Sequence, residues 1–147
     1  MEQMFSISSL LVMPFWALMI LAPRWSWTKR IIGSPLISLP AALLYAILVL
    51  PNALSLLPAL ANPNLESIAA LLGSPEGATI AWVHFLAFDL FVGRWAYLDS
   101  LERRINPFVM AFVLALILMF GPLGFAVYLG ARTIAGSTAN NARAFQG

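Results

Sequence analysis

Trp82-Val-His-Phe-Leu-Ala-Phe-Asp-Leu-Phe-Val-Gly-Arg-Trp-Ala-Tyr-Leu-Asp99 is apolar enough to cross a bilayer, yet it carries His84, Asp89 and Arg94. A charged side chain near the bilayer centre costs about 2.5–3.5 kcal/mol. Asp89 and Arg94 together therefore ask for about 5 kcal/mol if neither is paired. A chain keeps such residues where they pair, face a polar cavity or perform a task. The rest of the sequence agrees with a membrane reading. It is 61% hydrophobic and 10% charged over 147 residues, where a soluble domain has about 25% charged residues. The mean hydropathy is +0.88. The class read from these features is an all-α integral membrane protein.

The formal charge of +2 is small and its basic residues are not in a run, so no nucleic-acid partner is expected. The absence of cysteine excludes disulfides, thiolate nucleophiles and cysteine-ligated iron–sulfur or zinc sites. A lone histidine excludes a multi-histidine metal site within one chain, and no metal is expected. The start of the chain has Glu2 and no basic leader, so no cleavable signal or transit peptide is expected.

Uncharged stretches outline four spans, at about residues 7–23, 31–50, 78–98 and 107–131, each near the ~20 residues that cross a hydrocarbon core. Pro14 is a kink in the first, Pro35 and Pro40 lie near the start of the second, and Pro51 is its stop. Residues 1–131 form one transmembrane domain, a four-helix bundle, and residues 132–147 a loose polar tail. Between the second and third spans, Asn62 caps a short helix with Pro63 first and Gly73 just past its end. Its apolar surface (Leu65, Ile68, Ala69, Leu71, Leu72) places it in the interface or as a re-entrant segment. With four spans, Arg24, Lys29, Arg30, Arg103 and Arg104 share one side and outnumber Arg132 and Arg143 on the other. The positive-inside rule then puts both termini on the non-cytoplasmic side, with Trp25, Trp27, Trp95 and Tyr97 as a cytoplasmic aromatic belt.

The chemistry concentrates on the third span. On an ideal helix, Asp89 lies about 140° and Arg94 about 280° round from His84, with Trp95 at about 20°. The three polar groups thus form no single stripe, and a five-residue spacing is poor for an Asp89–Arg94 pair. Either the helix deviates near Gly93 or each group finds a partner elsewhere. Phe85, Phe88, Phe91 and Trp95 supply aromatic walls between the polar points, which suits a long apolar ligand with a polar end. Asp89 is the leading candidate for acid–base work; the plainer alternative is a pair with Arg94 or a bond to a hydroxyl. Arg94 reads as a counter-ion, a donor to a ligand oxygen, or a snorkelling residue. His84 reads as a base or as a packing residue. Asp99 and Arg103 form a structural i,i+4 pair. Gly121-Pro122-Leu-Gly124 kinks the fourth helix, with close packing through the glycines or a freed carbonyl lining a groove, and Tyr128 follows with a phenol. Pro51-Asn52 marks a capped helix end.

His84, Asp89, Leu90-Phe91 and Arg94, followed by Gly121-Pro122-Leu-Gly124, resemble the neoxanthin-synthase-like (abscisic-acid-deficient-four-like) family of small multi-pass membrane proteins. The resemblance implies carotenoid chemistry: an isomerase that opens an epoxide to an allenic alcohol, with no redox cofactor and with a carotenoid or other isoprenoid bound. In that scheme protonated Asp89 is the acid, His84 or a water the base, and Arg94 holds Asp89 or a ring hydroxyl. Trp82, Phe85, Phe88, Trp95 and Tyr128 contact the ligand. The rival reading is a non-enzymatic carotenoid-binding or assembly subunit of a photosynthetic membrane complex. The expected surroundings are a bacterial inner or thylakoid bilayer, with a photosynthetic complex or a second copy of the chain as partner.

Overall fold

The computed structural model describes the backbone of residues 1–144 and the side chains of residues 1–135. Its helices are α1 (Glu2–Leu21), α2 (Ser26–Gly33), α3 (Leu39–Val49), α4 (Ala53–Ala61), α5 (Leu65–Gly73), α6 (Pro75–Glu102), α7 (Pro107–Phe120) and α8 (Pro122–Ala144). Short 3-10 turns at Pro35–Ser38 and Leu50–Asn52 precede α3 and α4. Among the described residues there is no strand, so the chain is all-helical. Among the described residues, three helical runs are long and apolar enough to cross a membrane: Glu2–Leu21, Pro35–Ala61 and Pro75–Glu102. Large apolar side chains face outwards along them and beyond, with Leu54 85% and Phe108 87% exposed. In water such surfaces would be unstable; a lipid environment accounts for them.

Several elements differ from the sequence reading. The second run is not Ile31–Leu50: Ile31 and Ile32 belong to α2, and the apolar run begins at Pro35 and continues to Ala61. Pro51 does not stop it, because it occupies the first turn of a 3-10 segment, where a missing N–H leaves nothing unbonded. The cap of α5 is Asn64, not Asn62. Asn64 Oδ1 accepts from Ser67 N at 2.8 Å, and Ser67 Oγ accepts from Asn64 N at 3.5 Å. Pro63 forces the residue before it out of helical backbone, so Asn62 closes α4 and Gly73 ends α5 rather than following it.

The fourth expected span does not appear as one helix. α7 covers 14 apolar residues, about 21 Å of rise against about 30 Å of hydrocarbon. Gly121 then adopts φ +33°, and Pro122 opens a new helix. This is a break rather than a kink. α8 packs directly on α7, so closely that a methyl on Gly124 would collide with the backbone of Leu116 and Ile117. The expected loose tail is helical in backbone to Ala144; residues 145–147 and the side chains of 136–144 lie outside the described residues.

Two compact units result, and α1 and α6 contribute to both. One comprises Met1–Met13 and Ser38–Phe88. Its core is Leu44, Leu48 and Val83, with Leu11, Tyr45 and Ile80 packed against them. Leu44 and Leu48 are four residues apart and so share a helix face. The other comprises Pro14–Ile37 and the chain from Asp89 onward. Its largest buried side chains are Trp16, Tyr97 and Tyr128. The end of the Trp16 ring lies against Gly93, where any side chain would strike it.

Candidate functional site

His84 and Asp89 both lie on α6, and each is best described within its own unit. The His84 imidazole is exposed and makes no hydrogen bond among the described residues. It stacks on Phe88 (centroids 4.7 Å, 30°), tilts against Tyr45 (5.4 Å, 56°) and meets Phe85 edge-on (6.2 Å, 78°). His84, Phe85 and Tyr45 form one wall of a cavity of about 330 Å³. Leucines of α4 and α5 (Leu56, Leu57, Leu60, Leu71, Leu72) form the other. The cavity is apolar apart from the imidazole and the Tyr45 hydroxyl. Trp82, also expected to touch ligand, stacks instead on Phe5 of α1 (5.2 Å, 24°) and donates its indole N–H to Ser9 Oγ at 3.3 Å.

Asp89 is half-buried, and no hydrogen bond reaches its carboxylate among the described residues. It sits against the helix break: a methyl on Gly121 would lie 2.7 Å from Asp89 Oδ1. Glycine is thus required at 121 twice over, for its positive φ and for the approach of the carboxylate.

Arg94 forms no ion pair with Asp89. Its Nε donates to Ile32 O (2.8 Å) and Ser34 O (3.2 Å), and its Nη2 donates to Gly33 O (2.5 Å). Ile32 and Gly33 end α2 and Ser34 follows it, and carbonyls at a helix end have no partner within the helix. The guanidinium, planar and forked, is suited to hold several acceptors at once.

Farther along α6, Asp99 gathers more than the expected Arg103. Its Oδ2 accepts from Arg103 Nε (2.6 Å), Arg132 Nε (2.9 Å) and the Tyr128 hydroxyl (2.5 Å). Trp95 closes the group, edge-on to Tyr128 (5.5 Å) and Phe125 (5.7 Å) and under the Arg132 guanidinium (5.5 Å). Trp95 and Tyr128 are therefore brought together, but around Asp99; the Tyr128 ring is fully buried and its hydroxyl occupied. Tyr97, expected in an aromatic belt, is buried too, its hydroxyl donating to Pro23 O at 2.6 Å. Trp25 and Trp27 remain half exposed, as belt residues would be.

Sequence reasoning missed Tyr45, Arg132 and the Asn52–Glu76 contact, in which Asn52 Nδ2 donates to Glu76 Oε1 (2.7 Å) and Leu48 O (3.2 Å). Tyr128 and Arg132 do stand four apart, a spacing that puts both on one helix face. Nothing in the sequence says that this face meets Asp99.

No solved structure matches the chain. The protein "Protein ABA DEFICIENT 4, chloroplastic" of Arabidopsis thaliana is 29% identical over 139 residues, covering 90% of this chain. The chain spans 62% of the length of that relative. The ABA DEFICIENT 4-like family profile matches residues 3–128, a stretch that holds α1 to α7 almost entire and every candidate residue from Trp82 to Tyr128. The chain belongs to the ABA DEFICIENT 4-like family.

Proposed function

We propose that the chain is a membrane-embedded carotenoid isomerase of the neoxanthin-synthase type. Family membership and a chloroplastic relative support a role in the same metabolism. The observation that carries the reading is the Asp89 carboxyl: half-buried in a span-length helix, and bonded to no other group among the described residues. A structural acid at such depth would be paired; an unpaired one is held for use. The unbonded His84 beside an apolar cavity adds a second proton-handling group among aromatic rings.

The reaction is an isomerisation. The vinylic proton next to the epoxide leaves to a base, its electron pair forms the new double bond of the allene, and the allylic C–O bond breaks. The epoxide oxygen takes up a proton from an acid. One proton leaves and one arrives, so no oxidant or reductant is needed. We assign the acid to Asp89 and the base to His84 or a water. In this reading Arg94 acts by holding α2 in place. α7 and α8 do not make the expected fourth crossing: Gly121, where they meet, lies against Asp89, while Tyr128 and Arg132 of α8 return to Asp99, so α8 runs back beside α7. α5 lies at the interface.

Expression in a bacterial host that accumulates epoxy-xanthophylls, followed by pigment chromatography, tests the reading. A new allenic isomer that disappears with Asp89→Asn and falls by about 10²–10⁴-fold with His84→Ala is expected for acid–base roles. Full activity in both variants would remove the scheme. An unchanged pigment profile with stoichiometric carotenoid on the purified protein would favour the pigment-binding subunit.

A further inference from the structure

Another cavity plays no part in that chemistry. It lies in the unit built from Pro14–Ile37 and the chain from Asp89 onward, and has a volume of about 560 Å³. Its walls come from the segment after α1, the end of α6 and the start of α7. Three cations line it, Arg24, Lys29 and Arg104, and no acidic side chain does. None of the three side chains has a hydrogen bond or ion pair among the described residues. Of the acids at the end of α6, Asp99 already holds Arg103 and Arg132, and Glu102 does not line the cavity. Asn106 adds an amide: its Oδ1 caps α7 at Phe108 N (2.9 Å), which leaves its N–H donors free.

The backbone places Arg104 with some effort. Arg104 N donates to Leu101 O (3.2 Å) and Ile105 N to Ser100 O (3.0 Å). This pattern ends a helix with one left-handed residue, normally glycine. Here that residue is Arg104, with φ +53°. An arginine in a glycine position indicates that its side chain is wanted there.

A second crevice of about 390 Å³ shares Pro23, Arg24, Asn106 and Pro107 with the first, and is otherwise walled mainly by apolar residues such as Ile20, Leu21 and Phe108. A cationic chamber beside an apolar channel, where apolar helices end, matches an amphiphile with a phosphate head and a hydrocarbon tail. We propose that the Arg24–Lys29–Arg104 cavity binds the phosphate group of such an amphiphile, an anionic phospholipid being the nearest source in a bilayer. The proposal does not rest on the isomerase reading.

Native mass spectrometry of the whole detergent-purified chain tests it, with phosphatidylglycerol, phosphatidylcholine and inorganic pyrophosphate as probes. The chain is expected to retain phosphatidylglycerol in preference to phosphatidylcholine. Binding weakens by about fivefold for each cation removed, in Arg104→Gly and in the double variant Arg24→Gln/Lys29→Gln. Arg30→Gln, outside the cavity, leaves binding unchanged. Arg104→Gly puts the favoured residue in a left-handed position, so it folds at least as well, and a thermal melt checks this. Pyrophosphate that displaces the lipid makes a soluble diphosphate a second source; pyrophosphate without effect makes the lipid the ligand. If neither phosphatidylglycerol nor pyrophosphate binds above phosphatidylcholine, or if the cavity variants bind as the unaltered chain does, the proposal is overturned.

Discussion

At Gly121 the backbone and the candidate acid meet. The residue has φ +33°, and a methyl there would lie 2.7 Å from Asp89 Oδ1. Gly121→Ala therefore meets two penalties, a backbone one of about 1–2 kcal/mol and a steric one that pushes the carboxylate. A total loss of about 2–4 kcal/mol is expected, and denaturation in mixed detergent measures it. Asp89→Asn should behave in the opposite way: it keeps the shape and removes an ionisable group with no partner, so stability holds or rises while product formation fails. The pair of results separates a residue needed for the fold from one needed for chemistry.

At the level of elements, α2 depends on α6. It is 8 residues long, well below the length at which a helix holds itself in water. Its last carbonyls are closed by Arg94 through three hydrogen bonds. Arg94→Met should cost about 1–3 kcal/mol, since those acceptors lose charged donors. Arg94→Lys should recover only part of this, because an ammonium cannot fork across three carbonyls. Hydrogen exchange at the Ser34 amide, which donates to Ile31 O, reports the loosening directly. Exchange that does not change in Arg94→Met would show that α2 is held by its buried Thr28 and Ile32 alone. The α7–α8 break is an element-level feature of the same kind. Pro122 and Gly121 are visible in the sequence, but how far a proline bends a helix depends on what α8 can pack against.

For the whole molecule, the question is how many times the chain crosses the bilayer. Three helices have the length, and Pro35–Ala61 is the one least supported by packing, since almost none of it is buried. The chain has no cysteine, so single-cysteine labelling needs no background removal. Ser26→Cys after α1 and Glu66→Cys in α5 flank that run, and both positions are exposed. If the run crosses, an impermeant maleimide added to sealed vesicles labels one and not the other. Equal labelling of both from one side would mean that Pro35–Ala61 does not span.

The membrane class and the existence of helices α1, α6 and α7 were legible because hydrophobicity is a sum over residues and needs no partner. So was the role of α6, since His84, Asp89 and Arg94 are anomalies in an apolar run whatever surrounds them. The Asp99–Arg103 pair was legible for a related reason: its spacing is local. Helix ends were less so. Pro51 and Asn62 read as stop and cap by residue type, but a proline in a 3-10 first turn stops nothing, and Pro63 hands the cap to Asn64. What only the tertiary structure decided was partnership. Arg94 has Asp89 within reach in sequence and yet serves α2. Tyr128 reads as a ligand contact and yet donates to Asp99. Asp89, whose plainer reading is half of an ion pair, is left with no partner among the described residues. Polar groups in an apolar surrounding take whichever acceptor the packing brings nearest, and that choice is made between segments 29 residues apart for Tyr128 and 60 or more for Arg94, beyond the range of any local pattern.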